Sequence, residues 1–203
     1  IRRCRMIRDF DNTTSLMKRL KISGRNLEAE ALSRKSADWL VSCLTAFSID
    51  TSQFVVVDIS AAYGYTTNYL MTRYEDIFTH EGKQQYCLHY MDTQYNPFDI
   101  PRVSDLSCFK SQVVLFIADH LVEYFDLPNI VLEMPRAYLF LCVDTVNNPQ
   151  SLSNMRYYGS TWSRDSAIGY MNALKYTYID SRESYNDCNS CSCQNMLFKN
   201  FND

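Results

Sequence analysis

The chain has 203 residues, of which 46% are hydrophobic and 21% charged, the balance of a globular protein near the upper end of a single-domain length. No apolar stretch approaches the roughly 20 residues of a membrane-spanning helix, and the charged start Ile1-Arg2-Arg3-Cys4-Arg5 lacks the apolar segment and cleavage site of a signal peptide. The expectation is therefore a soluble, cytoplasmic protein without a membrane partner, and the start without Met reads as a piece of a longer polyprotein. The net charge of −3 is unevenly distributed: residues 1–26 carry eight Lys/Arg against Asp9 and Asp11, which is +6 and leaves −9 for the rest. A basic N-terminal arm (1–26) able to follow a phosphate backbone, joined to one domain (27–203), is the predicted organisation. Eight cysteines scattered over a chain of this length predict reduced thiols rather than a disulfide frame.

In chain order, Leu27, Ala31, Leu32, Trp39, Leu40, Cys43 and Leu44 recur at helical spacing and predict a helix over 27–47 with Asn26 as its N-cap. Phe54-Val55-Val56-Val57 is a continuous, β-branched apolar run, the pattern of a strand buried on both faces of a parallel sheet. A second helix is predicted over 65–78. Strands are then expected at 86–91, 113–118 and 137–143, with a helical pattern at 121–125 between the last two, and finally at 173–179 and, more weakly, 196–201. Strands alternating with helices predict an α/β fold with a mostly parallel sheet and a ligand at the carboxyl ends of the strands. Asp58, Asp92, Asp119 and Asp144 all fall at or just past those ends.

After the first long strand comes Asp58, then Ser60, Ala61, Ala62 and Gly64, four small residues in five positions, then a helix. Small side chains let a backbone approach a nucleotide-like ligand closely. The alternative is a tight strand-to-helix turn of an ordinary α/β protein.

Val57-Asp58-Ile59-Ser60-Ala61-Ala62-Tyr63-Gly64-Tyr65 resembles the V-D-L-G-A-A-P-G-G motif of the FtsJ-like RNA methyltransferases, a family that includes viral cap-modifying enzymes of flavivirus and nidovirus kinds. The resemblance implies a Rossmann-like fold that binds S-adenosylmethionine (SAM), with Asp58, Ser60, Ala61, Ala62, Tyr63, Gly64, Asp92, Asp99 and Asp119 on the cofactor side. Asp105 is a further candidate for the adenine amino group, and Phe98 for its ring. It also implies capped RNA as partner, together with proteins of a viral replication complex, and a Lys-Asp-Lys-Glu tetrad for ribose 2′-O methylation. Ser33-Arg34-Lys35 resembles the segment carrying the first lysine, Val113 to His120 the strand ending in the aspartate, and Ser181-Arg182-Glu183-Ser184-Tyr185 the segment carrying the glutamate. Lys35, Asp119 and Glu183 are thus the catalytic candidates. At the second lysine position the run is Leu139-Phe140-Leu141-Cys142-Val143, so a cysteine stands there.

A ribose hydroxyl needs its proton removed by a lysine of lowered pKa, whereas guanine N7 already has a lone pair and needs only to be held in line with the methyl group. The missing lysine therefore favours guanine-N7 methylation, with Tyr63, Tyr65, Tyr95 and Trp162 available to shape a guanine pocket. Two alternatives remain open: a 2′-O enzyme using a substitute such as Lys175 or Lys110, and a non-catalytic RNA-binding module. Cys188, Cys191 and Cys193 have a spacing that can share a structural zinc with a fourth ligand from Cys4, His80, His89 or His120, the alternative being a reduced polar loop. His120, following Asp119, is expected near the strand-end cleft.

Overall fold

The computed structural model describes residues 6–7, 25–59, 65–80, 83–84, 86–89, 100–103, 105–119, 131–145, 164–185 and 192–201. In chain order the elements are β1 (Met6–Ile7), α1 (Arg25–Ala46), β2 (Phe54–Asp58), α2 (Tyr65–Arg73), β3 (Thr79–His80), β4 (Lys83–Gln84), β5 (Tyr86–His89) and β6 (Arg102–Val103). A 3-10 turn (Leu106–Phe109) leads to β7 (Val113–Asp119), β8 (Arg136–Thr145), α3 (Arg164–Ala173), β9 (Thr177–Tyr185) and β10 (Ser192–Phe201). Eight strands form one sheet in the order β1-β6-β5-β2-β7-β8-β10-β9, and β3 and β4 pair separately. From β6 to β8 all neighbours are parallel, and β10 inserts antiparallel between β8 and β9.

The apolar run of β2 is explained by its central place. Val55 and Val57 join the core on the α3 side with Val114, Phe116, Leu139, Leu141 and Met171. Phe54 and Val56 join the core on the α1 side with Leu40, Leu44, Leu115, Ile117 and Phe140. Both faces are covered, so no position of this strand tolerates a polar side chain until Asp58. α1 turns Ala37, Leu40, Cys43 and Leu44 inward while Arg34, Lys35 and Ser42 stay exposed. It is clamped to α2, with which Arg34 shares a cation–π contact to Tyr69 at 5.7 Å. The Tyr74 hydroxyl, just past α2, donates to the Asp38 carboxylate at 2.6 Å, and that bond pushes the phenol up to about 12.

Several boundaries differ from those the sequence predicts. α1 begins at Arg25, so Asn26 lies inside the helix rather than at its cap, and α2 stops at Arg73, well short of residue 78. Residues 164–173 form a helix that the sequence reading passed over, and the strand expected at 173–179 is displaced to 177–185. The weak strand at 196–201 is a ten-residue strand lying between β8 and the edge strand β9. Part of the basic arm is also structured, since Met6 and Ile7 pair with Val103 and Arg102. The helical pattern at 121–125 lies outside the described residues.

Both α1 and α3 end in the same way. Past α1, the amide of Ser48 donates to the Thr45 carbonyl and that of Ile49 to the Leu44 carbonyl; past α3, Lys175 donates to Asn172 and Tyr176 to Met171. This pair of bonds is a Schellman closure, and it puts Ser48 at φ 51° and Lys175 at φ 65°. Glycine usually takes that position, so neither helix end carries that mark in the sequence, although the apolar spacing still places the end of α1 within one residue.

The thiol reading holds for Cys43 and Cys142, which are free and buried. It fails for Cys108, which is disulfide-bonded; its partner is outside the residues whose side chains are described.

Candidate functional site

The carboxyl ends of β2, β7 and β8 are where buried polar groups gather. Asp58 closes β2 with 1% exposure, and such a carboxylate needs donors to remain buried. Thr67, on the first turn of α2, supplies one, its hydroxyl donating to the Asp58 carboxylate at 2.6 Å. Ile59 continues along β7, its amide donating to the Ile117 carbonyl at 2.9 Å. The chain therefore leaves the sheet and returns as α2 within a few residues, with Thr66 and Thr67 buried at the start of the helix. This brings the N-terminus of α2, with its partial positive charge, to the strand-end edge. Ser60, Ala61, Ala62, Tyr63 and Gly64 of the turn lie outside the described residues, as do Asp92, Tyr95, Phe98, Asp99, His120 and Trp162. Tyr65 opens α2 and is half-buried.

At the same edge the register brings four polar positions side by side across four strands. Asp119, the last residue of β7, stands opposite Cys142 of β8. Cys142 faces Asn195 of β10, and Asn195 faces Arg182 of β9. Cys142 and Asn195 are both fully buried, with Cys142 packed in the core on the α1 side. Asn195 is reached from α1 by Ser36, whose hydroxyl donates to the Asn195 Oδ1 at 3.2 Å. Lys35 is therefore one residue from the α1 side chain that touches this row, while itself exposed. Glu183 stands in the next row, opposite Gln194, and is exposed. Ser181, at the head of the same segment, bonds to Arg164 at 3.0 Å and Tyr178 at 2.8 Å on the α3 side.

Sequence reasoning missed Ser36, Thr67 and Asn195. The one signal available was the pair of amides Gln194-Asn195 leading directly into the apolar run Met196-Leu197-Phe198. Asp105, considered as an adenine contact, is occupied locally: its carboxylate caps the 3-10 turn by accepting from the Ser107 amide at 2.8 Å.

The substitute lysines are excluded by topology. Lys175 closes α3 before β9 begins, and Lys110 precedes β7. Both lie at the amino ends of the strands, whereas Asp119 lies at the carboxyl end of the seven-residue β7, about 20 Å along the strand. No lysine side chain spans that. Of the cysteine cluster, Cys193 sits in β10, with its backbone opposite Asp144 and Ser184. Cys188 and Cys191 lie outside the described residues, and the described residues contain no group of metal-binding side chains.

No family model and no curated protein sequence matches the chain. Among solved structures it is similar to the 1,6-didemethyltoxoflavin-N1-methyltransferase of Burkholderia thailandensis, solved with 1,6-didemethyltoxoflavin and S-adenosylhomocysteine bound. The TM-score is 0.56 at 12% identity, covering 99% of this chain and 97% of that one. It is also similar to the magnesium protoporphyrin IX methyltransferase of Synechocystis PCC 6803 with S-adenosylhomocysteine, at TM-score 0.50 and 8% identity over 95% and 90% of the two chains. At such identities the likeness is one of fold. The chain has the class I, Rossmann-like fold of SAM-dependent methyltransferases, and neither relative's name carries an RNA acceptor.

Proposed function

We propose that the chain is a SAM-dependent methyltransferase acting at guanine N7 of an RNA 5′ cap. The cofactor reading is supported by the buried Asp58–Thr67 clamp at the strand end, by the small residues Ser60, Ala61, Ala62 and Gly64 that follow it, and by the S-adenosylhomocysteine in both similar structures. When bound, SAM supplies an electrophilic methyl carbon.

The observation that carries the acceptor atom is the identity of residue 142. It stands directly opposite Asp119, the position where a 2′-O enzyme of the resembled family has its base, and it is a cysteine buried in apolar surroundings. A thiol there carries no positive charge to steady an alkoxide. Guanine N7 has no proton to lose, so the chain's task reduces to orientation. Asp119 at the strand end suits that task, with the buried Asn195, held by Ser36 from α1, as support in the row behind it. The 2′-O alternative finds Lys110 and Lys175 at the far end of the strands and, of the lysines it named, keeps Lys35 on this side.

Methyl transfer from labelled SAM to two short RNAs tests the reading, one with an unmethylated guanosine cap and one with a cap already methylated at N7. Transfer to the first only, retained in Cys142→Ala, is the expected result. Transfer to the second overturns the N7 assignment. No transfer to either, with no SAM binding in calorimetry, makes the chain a non-catalytic module.

A further inference from the structure

At the amino end of the parallel strands, on the α1 side, the ladder between β8 and β10 carries an aromatic ring framed by cations. Phe201 is paired with Arg136, and Lys199 with Tyr138, and residues two apart on a strand share a face. The Arg136 guanidinium lies 5.5 Å from the Phe201 ring centre and the Lys199 ammonium 5.8 Å from it. The Tyr138 ring meets the Phe201 ring edge-on at 5.3 Å. Arg136 and Lys199 are exposed, and Phe201 is 38% exposed, one of three large apolar side chains so placed among the described residues. Among the described residues neither cation is ion-paired, the one ion pair there being Arg34 with Glu30. Two such cations beside one part-exposed ring, on a protein of net charge −3, form a local field opposite in sign to the whole.

We propose that Arg136, Lys199 and Phe201 form a docking surface for single-stranded RNA, with phosphates on the two cations and a base stacked on the ring. Ring stacking combined with backbone neutralisation is how single strands are held without sequence preference. A protein partner fits less well, since lysine is depleted at protein interfaces and the apolar area here is essentially one ring. An anionic membrane fits less well too, because a single ring on a strand offers no amphipathic helix to insert.

The surface deepens the RNA reading given above. Arg136 and Cys142 are six residues apart on one strand, about 20 Å, which a strand rising about 3.4 Å per nucleotide covers in roughly six nucleotides.

The test is fluorescence anisotropy of the full chain with a labelled, uncapped oligouridylate of twelve nucleotides, titrated at several salt concentrations. Uncapped RNA makes the readout independent of cap chemistry, so loss of methyl transfer with RNA binding intact sinks the functional reading and leaves this surface standing. The expected result is that Arg136→Glu with Lys199→Glu weakens binding at least tenfold and reduces the salt dependence by about two counterions. Phe201→Ala should weaken it by about tenfold, with SAM affinity unchanged. Arg136→Gln with Lys199→Gln gives the same reading should the charge reversal fail to fold. Wild-type RNA affinity in the charge variants overturns the proposal, as does absence of RNA binding by the wild type. Capture of phosphatidylserine vesicles or of a polyglutamate peptide, in place of RNA and dependent on the same cations, overturns it as well.

Discussion

The two ends of the sheet are built from different materials. At the carboxyl end, Asp58, Thr66, Thr67, Cys142 and Asn195 are buried, and side-chain bonds from Thr67 to Asp58 and from Ser36 to Asn195 tie helix to strand. At the amino end, Phe54 lies between Phe78, at 6.3 Å, and Tyr138, at 5.2 Å, with cations added only at the surface. A buried polar group contributes little net stability even when satisfied, whereas an aromatic cluster contributes several kcal/mol through area alone. The amino end therefore anchors the fold, and the carboxyl end spends stability on placing chemical groups.

The largest expected effect tests the anchoring end. Phe54→Ala should lower the unfolding free energy by about 3–5 kcal/mol, measured by denaturant titration, while SAM affinity in the folded fraction is unchanged. A fall in affinity without a fall in stability reverses the assignment of roles. Thr67→Val should have the opposite signature: removing the 2.6 Å donor to Asp58 costs about 1–3 kcal/mol and weakens SAM binding in calorimetry.

One residue breaks the pattern and offers a gain. Asn200, 2% exposed at the amino end, has an Nδ2 with no hydrogen-bond partner. Asn200→Leu should raise the unfolding free energy by about 1 kcal/mol, measured by denaturant titration; a fall in stability would mean that the amide is satisfied by water. Smaller still are Ser48→Gly and Lys175→Gly, each expected to add about 0.5 kcal/mol by relieving a left-handed residue. Lys175→Gly should also leave methyl transfer intact, as its place at the far end requires.

A pH experiment probes the α1 side between the two ends. Burial, and then the neighbouring Asp180 charge, push the Cys43 thiol up from 9.0 to about 11. Below pH 9 the thiol is protonated in folded and unfolded chains alike. Between pH 9 and 11 the unfolded chain loses the proton first, so stability falls as pH rises through that window. Cys43→Ala should lessen the fall, and in the wild type Cys43 should resist iodoacetamide at pH 8 until the protein is unfolded.

Asp119 and Cys142 show how far the sequence reaches. Each lies at the end of, or within, a buried apolar run, and a run of that kind has one place to go in a two-sided sheet, so β2, β7 and β8 and their order of polar endings were legible from residue type alone. Asn195 was not, because its neighbours are set by β10 inserting between β8 and β9, a pairing across more than fifty residues of chain that no local pattern encodes. Ser36 is legible only through Asn195. The end of α1 was legible to within one residue from its apolar spacing although Ser48 stands where glycine is customary, whereas the close of α3, with Lys175 in that place, gave no such mark.

The sequence by itself determined the α/β class and the buried strands ending at Asp58, because hydrophobic period and side-chain size act locally. Only the tertiary structure decided which polar residues stand together. It set Cys142 opposite Asp119 and carried Lys110 and Lys175 to the far edge, because strand register and direction are fixed by the packing of the whole sheet.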